Sequence, residues 1–146
     1  MQPSTSATIV LDSSAIASIF FKDKKFGDKV INDLGQYERF ATVDVAFAEV
    51  ASVAWKSVVL FKERKDVAAP ALSQAVSFIR DNCEVISTSD LIAQAYEVGT
   101  NHGIQIYDSL FLALALRFKC KMLTTDEKLH NKTNSIKELR ASTILP

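Results

Sequence analysis

The sequence has few of the residues that form tight turns or that cross-link a small fold through disulfides. Among 146 residues there are only 4 glycines, 3 prolines and 2 cysteines. This scarcity disfavours a turn-rich all-β fold and argues against a disulfide framework. Cys83 and Cys120 belong to no spaced metal-binding motif, so we expect reduced, buried thiols in a cytoplasmic protein.

Long apolar runs and a leader are also missing. The longest apolar runs are well short of the roughly 20 residues that a membrane span requires. The first residues, MQPSTSA, contain neither the basic nor the apolar region of a signal peptide. We therefore expect no membrane partner, and we expect one domain, 1–146, in which residues 1–6 are a flexible N-terminal extension.

Neither sign of charge is in excess, because Lys plus Arg and Asp plus Glu number 17 each. Such a chain has no overall basic field to attract nucleic acid, so that partner would need a local patch or metal ions. Hydrophobic residues make up 48% of the chain and charged residues 23%. These values are typical of a globular protein with a sizeable core.

The chain is organised around one stretch, Gly103 to Lys119. Its middle part, LFLALAL from Leu110 to Leu116, is apolar at every position. A helix that is apolar all round lies inside a domain, not on its surface. Asp108 stands near the start of this helix, and a buried carboxylate must be paired, hydrogen-bonded or bound to a metal.

Short apolar runs alternate with helical patterns along the rest of the chain. The predicted strands are Ala7–Leu11, Arg39–Val43, Cys83–Ile86, Lys121–Thr124 and Thr143–Leu145. The predicted helices between and after them are Ser13–Phe21, Phe26–Leu34, Asp44–Phe61, Pro70–Arg80, Ser89–Gly99 and a short helix ending near His130. This alternation predicts an α/β fold, a three-layer α/β/α sandwich with a central, mainly parallel sheet of four to five strands.

Helix ends carry their own signals. Thr42 or Asp44 is the expected N-cap of the third helix, and Pro70 is expected near the first turn of the fourth. Gly35 and Gly99 are expected to end the helices that precede them.

Four acidic residues occupy related places in this pattern. Asp12 follows the first strand, Asp126 follows the fourth, and Asp108 opens the central helix. Ligands of an open parallel sheet bind beyond the carboxyl ends of the strands, where these side chains should meet. Glu49 interrupts a nearly continuous apolar run one to two turns into its helix, and it can reach the same edge.

Each acid also has a structural explanation. Aspartate is a favoured N-cap, and acids near helix starts suit the helix dipole. Glu49 could be a buried partner of Lys56 or of a capping group. If all four converge, however, their mutual repulsion requires cations, and oxygen ligands favour Mg²⁺ or Mn²⁺ because no Cys/His set offers a zinc site. Such a centre can hydrolyse a phosphodiester.

The motifs together resemble the PIN-domain family, especially its VapC-type ribonuclease toxins. The resemblance rests on IVLDSSAI with Asp12, FAEVASVAW with Glu49, IQIYDSLFLALA with Asp108 and LTTDEKL with Asp126. It implies that these four acids bind Mg²⁺ or Mn²⁺ and activate water for RNA cleavage. It also implies supporting roles for Ser14 and Thr124, whose hydroxyls can orient a carboxylate or a metal-bound water.

The resemblance further implies a homodimer and a small antitoxin that wraps the helices of the toxin. The apolar first helix could supply the groove for it through Ile16, Ile19, Phe20 and Phe21, which otherwise belong to the core. Basic residues near the acidic motifs are candidates for flanking phosphates or, equally, for a solvated face. They are Lys22, Lys24, Lys25, Lys56, Arg117, Lys119 and Lys121.

Three other functions stay open at this point. One is a PIN-like RNA-binding or scaffold module without cleavage, and a second is a housekeeping RNA-processing nuclease. The third is Mg²⁺-dependent phosphoaspartyl chemistry, although the sequence after Asp12, Ser13-Ser14, lacks the second acid of a DxD pair.

Overall fold

The computed structural model describes residues 7–146, so the flexible extension predicted for residues 1–6 lies outside the described part of the chain. The strands are Thr8–Leu11 (β1), Arg39–Val43 (β2), Cys83–Ile86 (β3), Lys121–Leu123 (β4) and Thr143–Ile144 (β5). The helices are Ser13–Phe20 (α1), Gly27–Leu34 (α2), Val45–Val59 (α3), Lys65–Asn82 (α4), Thr88–His102 (α5), Ile106–Phe118 (α6) and Glu127–Ser135 (α7). A 3₁₀ turn, Lys137–Leu139, precedes β5.

The five strands form one sheet in the order β3-β2-β1-β4-β5, and every neighbouring pair is parallel. The predicted α/β sandwich is confirmed, with five strands. The chain runs outward from β1 to β3 and then returns to place β4 on the other side of β1. This reversal makes the gap between β1 and β4 the switch point of the sheet, where ligands of such folds bind.

Helix α6 is the buried centre of the fold, as its all-apolar pattern predicts. Residues 109–115 are all buried, and Leu116 is the first to reach the surface. The helix contacts β1, β2 and β4 and packs against α5, while α1, α3 and α4 pack against one another. Within residues 7–146, none of the helices combines the length and the apolar composition needed to cross a membrane.

The end of α5 differs from its prediction. The helix continues past Gly99 and ends at Gly103, which adopts φ +67° in the left-handed region that favours glycine. Gly99 is required for a different reason. A Cβ there would lie 2.7 Å from the carbonyl oxygen of Ile104 and 3.0 Å from Ser109 Oγ. Gly99 therefore allows α5 and α6 to approach closely and does not end a helix.

The predictions for two helix starts also need correction. Asp44 is the N-cap residue of α3, one of the two predicted positions, but its side chain makes no capping hydrogen bond: the carboxylate accepts from Thr88 at the start of α5, and the Thr42 hydroxyl donates to the Leu11 carbonyl. Helix α4 begins at Lys65, which leaves Pro70 inside the helix. Pro70 has no N–H to donate to the carbonyl of Asp66, and the helix continues without that bond.

Candidate active site

Asp12 lies at the end of β1 and is buried, with 4% of its surface exposed. It is the N-cap of α1, and its Oδ1 accepts from Ser14 Oγ at 2.6 Å and from the Ala15 N–H at 2.9 Å. Burial raises the pKa of Asp12 to about 6, and the charge of Asp108 adds to this rise, while the hydrogen bonds oppose it.

Asp126 lies after β4, on the other side of the switch point, and caps α7. Its Oδ1 accepts from the Leu129 N–H at 3.1 Å, and its own N–H donates to Thr124 Oγ1 at 3.1 Å. The Thr124 and Ser14 hydroxyls are 3.3 Å apart, and Ser14 Oγ also accepts from the Thr125 N–H at 3.0 Å. Hydroxyl groups therefore link the loops that carry Asp12 and Asp126.

Glu49 reaches this edge from α3 and is partly buried. Its Oε1 accepts from Ser13 Oγ at 3.0 Å, and Ser13 is the neighbour of Asp12 in the chain. Burial raises the pKa of Glu49, the Ser13 hydrogen bond opposes the rise, and the charge of Asp108 adds to it. No ion pair joins Glu49 to Lys56 within residues 7–146, so the alternative of a buried Lys56 partner is wrong.

Asp108 is the third residue of α6 and does not cap it, because the Gln105 side chain accepts from the Tyr107 N–H at 2.9 Å. Burial raises the pKa of Asp108, a hydrogen bond with Gln105 lowers it, and the charge of Asp126 raises it further. Asp108 thus acts electrostatically on Asp12 and Glu49 and is itself acted on by Asp126. All four predicted acids share this edge of the sheet.

No ion pair joins any of these acids to a protein cation within residues 7–146. The ion pairs within residues 7–146 are Lys25–Glu127 and Arg64–Asp66, and neither includes a predicted site residue. In the same part of the chain, no three His, Cys, Asp or Glu side chains already form a group that would hold a metal ion. The charge of Asp108 raises the pKa of Asp12 and of Glu49, but the four acids are not arranged as a finished coordination shell.

The donor set fits a hard divalent cation. Its ligand atoms would be carboxylate oxygens, and the N-terminal caps at Asp12 and Asp126 are made through Oδ1 alone, so capping does not use the second oxygen. Mg²⁺ keeps several waters and is usually held by only one or two carboxylates, so it does not need a preformed cage. The capping explanation of Asp12 and Asp126 is therefore correct but does not compete with metal binding.

Two lysines beside the site were missed in the sequence. Lys128 and Lys132 line a cleft of about 180 Å³ together with Asp108 and Asp126. Their spacing of four places them on one face of α7, a signal that the sequence does contain. Ser13, which donates to Glu49, and Gln105, which caps the helix that carries Asp108, were also missed, and only their positions beside Asp12 and at the start of α6 could have indicated them.

Several basic candidates lie at the wrong end of the sheet. Arg117 and Lys119 end α6, whose first turn carries Asp108, and an α-helix rises about 1.5 Å per residue, so Lys119 is about 16 Å away. Lys121 begins β4, whereas the acids lie beyond the strand's other end. Lys25 is nearer the site: its Nζ lies 2.7 Å from Oε1 of Glu127, the neighbour of Asp126.

Comparison with known proteins agrees with this fold. Over 124 residues the chain is 29% identical to Ribonuclease VapC3 of Pyrobaculum aerophilum, covering 85% of this chain and 93% of that protein. The crystal structure of PAE2754 from the same organism superposes with a TM-score of 0.62 at 18% identity, over 90% of this chain and 83% of that one. The crystal structure of VapBC2 from Rickettsia felis, bound to a DNA fragment from the VapBC2 promoter, superposes with a TM-score of 0.61 at 15% identity. The superposition covers 94% of this chain and 98% of that one.

The PIN domain family model matches residues 9–134, which span β1 to α7 and include all four acids of the edge. The chain belongs to the PIN-domain family.

Proposed function

We propose that the chain is a Mg²⁺- or Mn²⁺-dependent endoribonuclease and the toxin of a toxin–antitoxin pair. The observation that carries this proposal is the gathering of four acids, none paired with a cation among the described residues, at the switch point of the sheet. The name of the relative VapC3, a ribonuclease, supports the same reaction class.

Asp12, Glu49, Asp108 and Asp126 would hold the metal, which when bound supplies a Lewis acid to the scissile phosphodiester. The protein's own contribution is positioning. Ser14 donates to Asp12 and accepts from the loop that carries Asp126, so it fixes two of the acids at once. Ser13 orients Glu49 in the same way. Because such hydroxyls hold carboxylates in place, Ser14 and Thr124 are positioning residues.

The proposal is tested by incubating the protein with RNA and Mn²⁺ beside its Asp108→Asn variant. Asp108 is the best choice because Gln105, not Asp108, caps the helix, so the amide should leave the fold intact. We expect the variant to cleave at least about 100-fold more slowly, since several kcal/mol of charge stabilisation are lost with a metal site.

Asp90→Asn is the matched control, because Asp90 is also the third residue of its helix, α5. It should cleave like the parent. Equal cleavage by the parent and the Asp108→Asn variant, or cleavage by neither, would contradict the proposal and favour a binding module without activity.

The antitoxin partner finds support in an exposed apolar face. Ile16 is fully buried and Phe20 stacks 5.6 Å from Phe78, so α1 is mainly core and not a free groove. A groove of about 360 Å³ lies instead between α3 and α4. Large apolar side chains are exposed around it: Trp55, Val59, Leu60, Phe61 and Val67.

Lys56, Lys62 and Lys65 lie on the same two helices or their connection, which favours a partner segment that is apolar with acidic flanks. Trp55 is the only tryptophan and reports on this groove. Adding the product of a neighbouring small reading frame should shift its fluorescence, whereas binding that leaves Trp55 unaffected would place the partner elsewhere. Light scattering tests the proposed homodimer.

A further inference from the structure

The cleft beside Asp108 and Asp126 combines both signs of charge. Its walls include these two acids, the turn at Gly103 and Gln105, and the lysines Lys128 and Lys132. A metal-bound phosphate would meet the acids, but a further phosphate in the cleft would be repelled by them unless a cation compensates. The two ammonium groups are the cations that the cleft provides.

The two lysines differ in how they are held. Lys132 Nζ donates to the Gly103 carbonyl at 2.7 Å, which ties α7 to the turn between α5 and α6 and leaves two of its three N–H donors for a ligand. The Lys128 ammonium makes no hydrogen bond or ion pair with any residue in the described range, 7–146. Its exposed ammonium is therefore free to bind an anion.

The neighbouring acid does not neutralise Lys128. Glu127 lies beside it in the first turn of α7, but its carboxylate pairs with Lys25 at 2.7 Å. Both side chains of this pair are more than half exposed, so the pair is weak in energy, yet it shows that Glu127 is directed toward Lys25. The free charge on the cleft side of α7 is positive.

We propose that this cleft is a phosphate subsite, in which Lys128 and Lys132 bind the phosphate next to the scissile one on the RNA chain. The inference rests on the proposed function and extends it to the substrate: the site prefers an oligonucleotide with at least two consecutive phosphates. An ammonium is a point charge, so this subsite positions the strand without reading its sequence.

The test compares two substrates that differ by one phosphate. The first is a dinucleotide with a single phosphodiester, and the second is the same dinucleotide with an added terminal phosphate, at its 5′ or its 3′ end in separate assays. The parent protein should have a lower KM for one of the phosphorylated forms. Lys128→Gln should remove most of this preference while changing kcat little and leaving the KM for the plain dinucleotide unchanged.

Lys128 is the residue to change because its ammonium makes no hydrogen bond or ion pair within residues 7–146, whereas the Lys132 ammonium ties α7 to the turn at Gly103. Lys121→Gln is the matched control, since Lys121 is exposed at the opposite end of β4. On a longer single-stranded RNA, the slope of log(kcat/KM) against log[KCl] should become shallower by about 0.7 in Lys128→Gln only, the value for one lost phosphate contact.

The outcomes separate the two proposals. If the parent cleaves no RNA with Mg²⁺ or Mn²⁺, the proposed function fails and the subsite fails with it. If the parent cleaves but Lys128→Gln affects the plain and the phosphorylated dinucleotides equally, or behaves like Lys121→Gln, the subsite alone is overturned.

Discussion

At the scale of single residues, Asp12 carries a free-energy cost that its hydrogen bonds do not remove. Its pKa rises from 3.8 to about 6 because burial disfavours the charged form, even though Ser14 and Ala15 donate to it. A shift of about two units corresponds to roughly 3 kcal/mol against the ionised folded state. At neutral pH the ionised Asp12 therefore destabilises the folded state of the metal-free protein.

We predict that the free energy of unfolding of the metal-free protein falls as pH rises from about 4 to 6. Between these values the unfolded chain releases the Asp12 proton while the folded protein keeps it, so the unfolded state binds fewer protons and stability falls with pH. The measurement is the free energy of unfolding by urea in EDTA, for the parent and for Asp12→Asn.

The variant isolates Asp12 from other titrating groups, because an amide can still cap α1 but stays neutral. We expect Asp12→Asn to be more stable than the parent by about 1–3 kcal/mol at pH 7 and similar to it at pH 4. A variant that is less stable at both pH values would show that Asp12 is needed only as a helix cap.

Sequence reasoning at this scale succeeded where a residue breaks a pattern. Glu49 could be singled out because it interrupts an apolar run, and Asp108 because a carboxylate opens a buried helix. Lys128 was missed although it lies four residues before Lys132, because an exposed lysine on a polar helix breaks no pattern. The side chain of Asp44 was misassigned because its carboxylate accepts from Thr88, 44 residues away, and such a partner is not visible in the sequence.

At the scale of elements, the strands were easier to predict than the helix ends. Strands β2 and β3 begin and end where the apolar runs predicted, at Arg39–Val43 and Cys83–Ile86. Gly99 was taken for a helix end because glycine is the usual residue there, but its role is the approach of α5 to α6. Only tertiary packing distinguishes these two uses of a glycine.

The end of α6 gives a prediction about a helix terminus. Lys119 holds the C-cap at φ 53° and ψ 43°, a left-handed conformation that costs a non-glycine residue about 1–2 kcal/mol. We expect Lys119→Gly to raise the free energy of unfolding by about 0.5–1 kcal/mol, after the entropic cost of glycine is deducted.

Thermal and urea unfolding measure this change, and RNA cleavage should not change, since Lys119 is remote from the acids. Lys121→Gly is the control, because Lys121 lies in β4 and a glycine there should destabilise the protein. A destabilised Lys119→Gly would mean that the lysine side chain makes a stabilising contact at this cap.

At the scale of the whole molecule, strand order decides which acids meet. The alternation of strands and helices predicted a parallel sheet, but the order β3-β2-β1-β4-β5 could not be derived from it. Local patterns specify elements and their faces, whereas strand order depends on how the helices pack on the sheet. The site therefore lies where two distant parts of the chain, after β1 and after β4, come together.

This arrangement predicts that a divalent ion stabilises the whole fold. Mg²⁺ that binds only the folded state should add about 2.7 kcal/mol at a concentration 100 times its Kd. Thermal unfolding should show a rise in Tm with Mg²⁺ in the parent and none in Asp108→Asn. An equal rise in both, or the same rise with KCl at matched ionic strength, would indicate general screening and not a site.

The buried carboxylate of Asp12 also bears on which mutations would inactivate the protein. Most inactivating substitutions in a protein lower its abundance, but we expect a neutral residue at Asp12 to remove the proposed activity while relieving a charge that burial disfavours. Where RNA cleavage slows growth, some clones should survive overexpression. These clones should carry substitutions at Asp12, in a well-folded and abundant protein, more often than substitutions that disrupt the core.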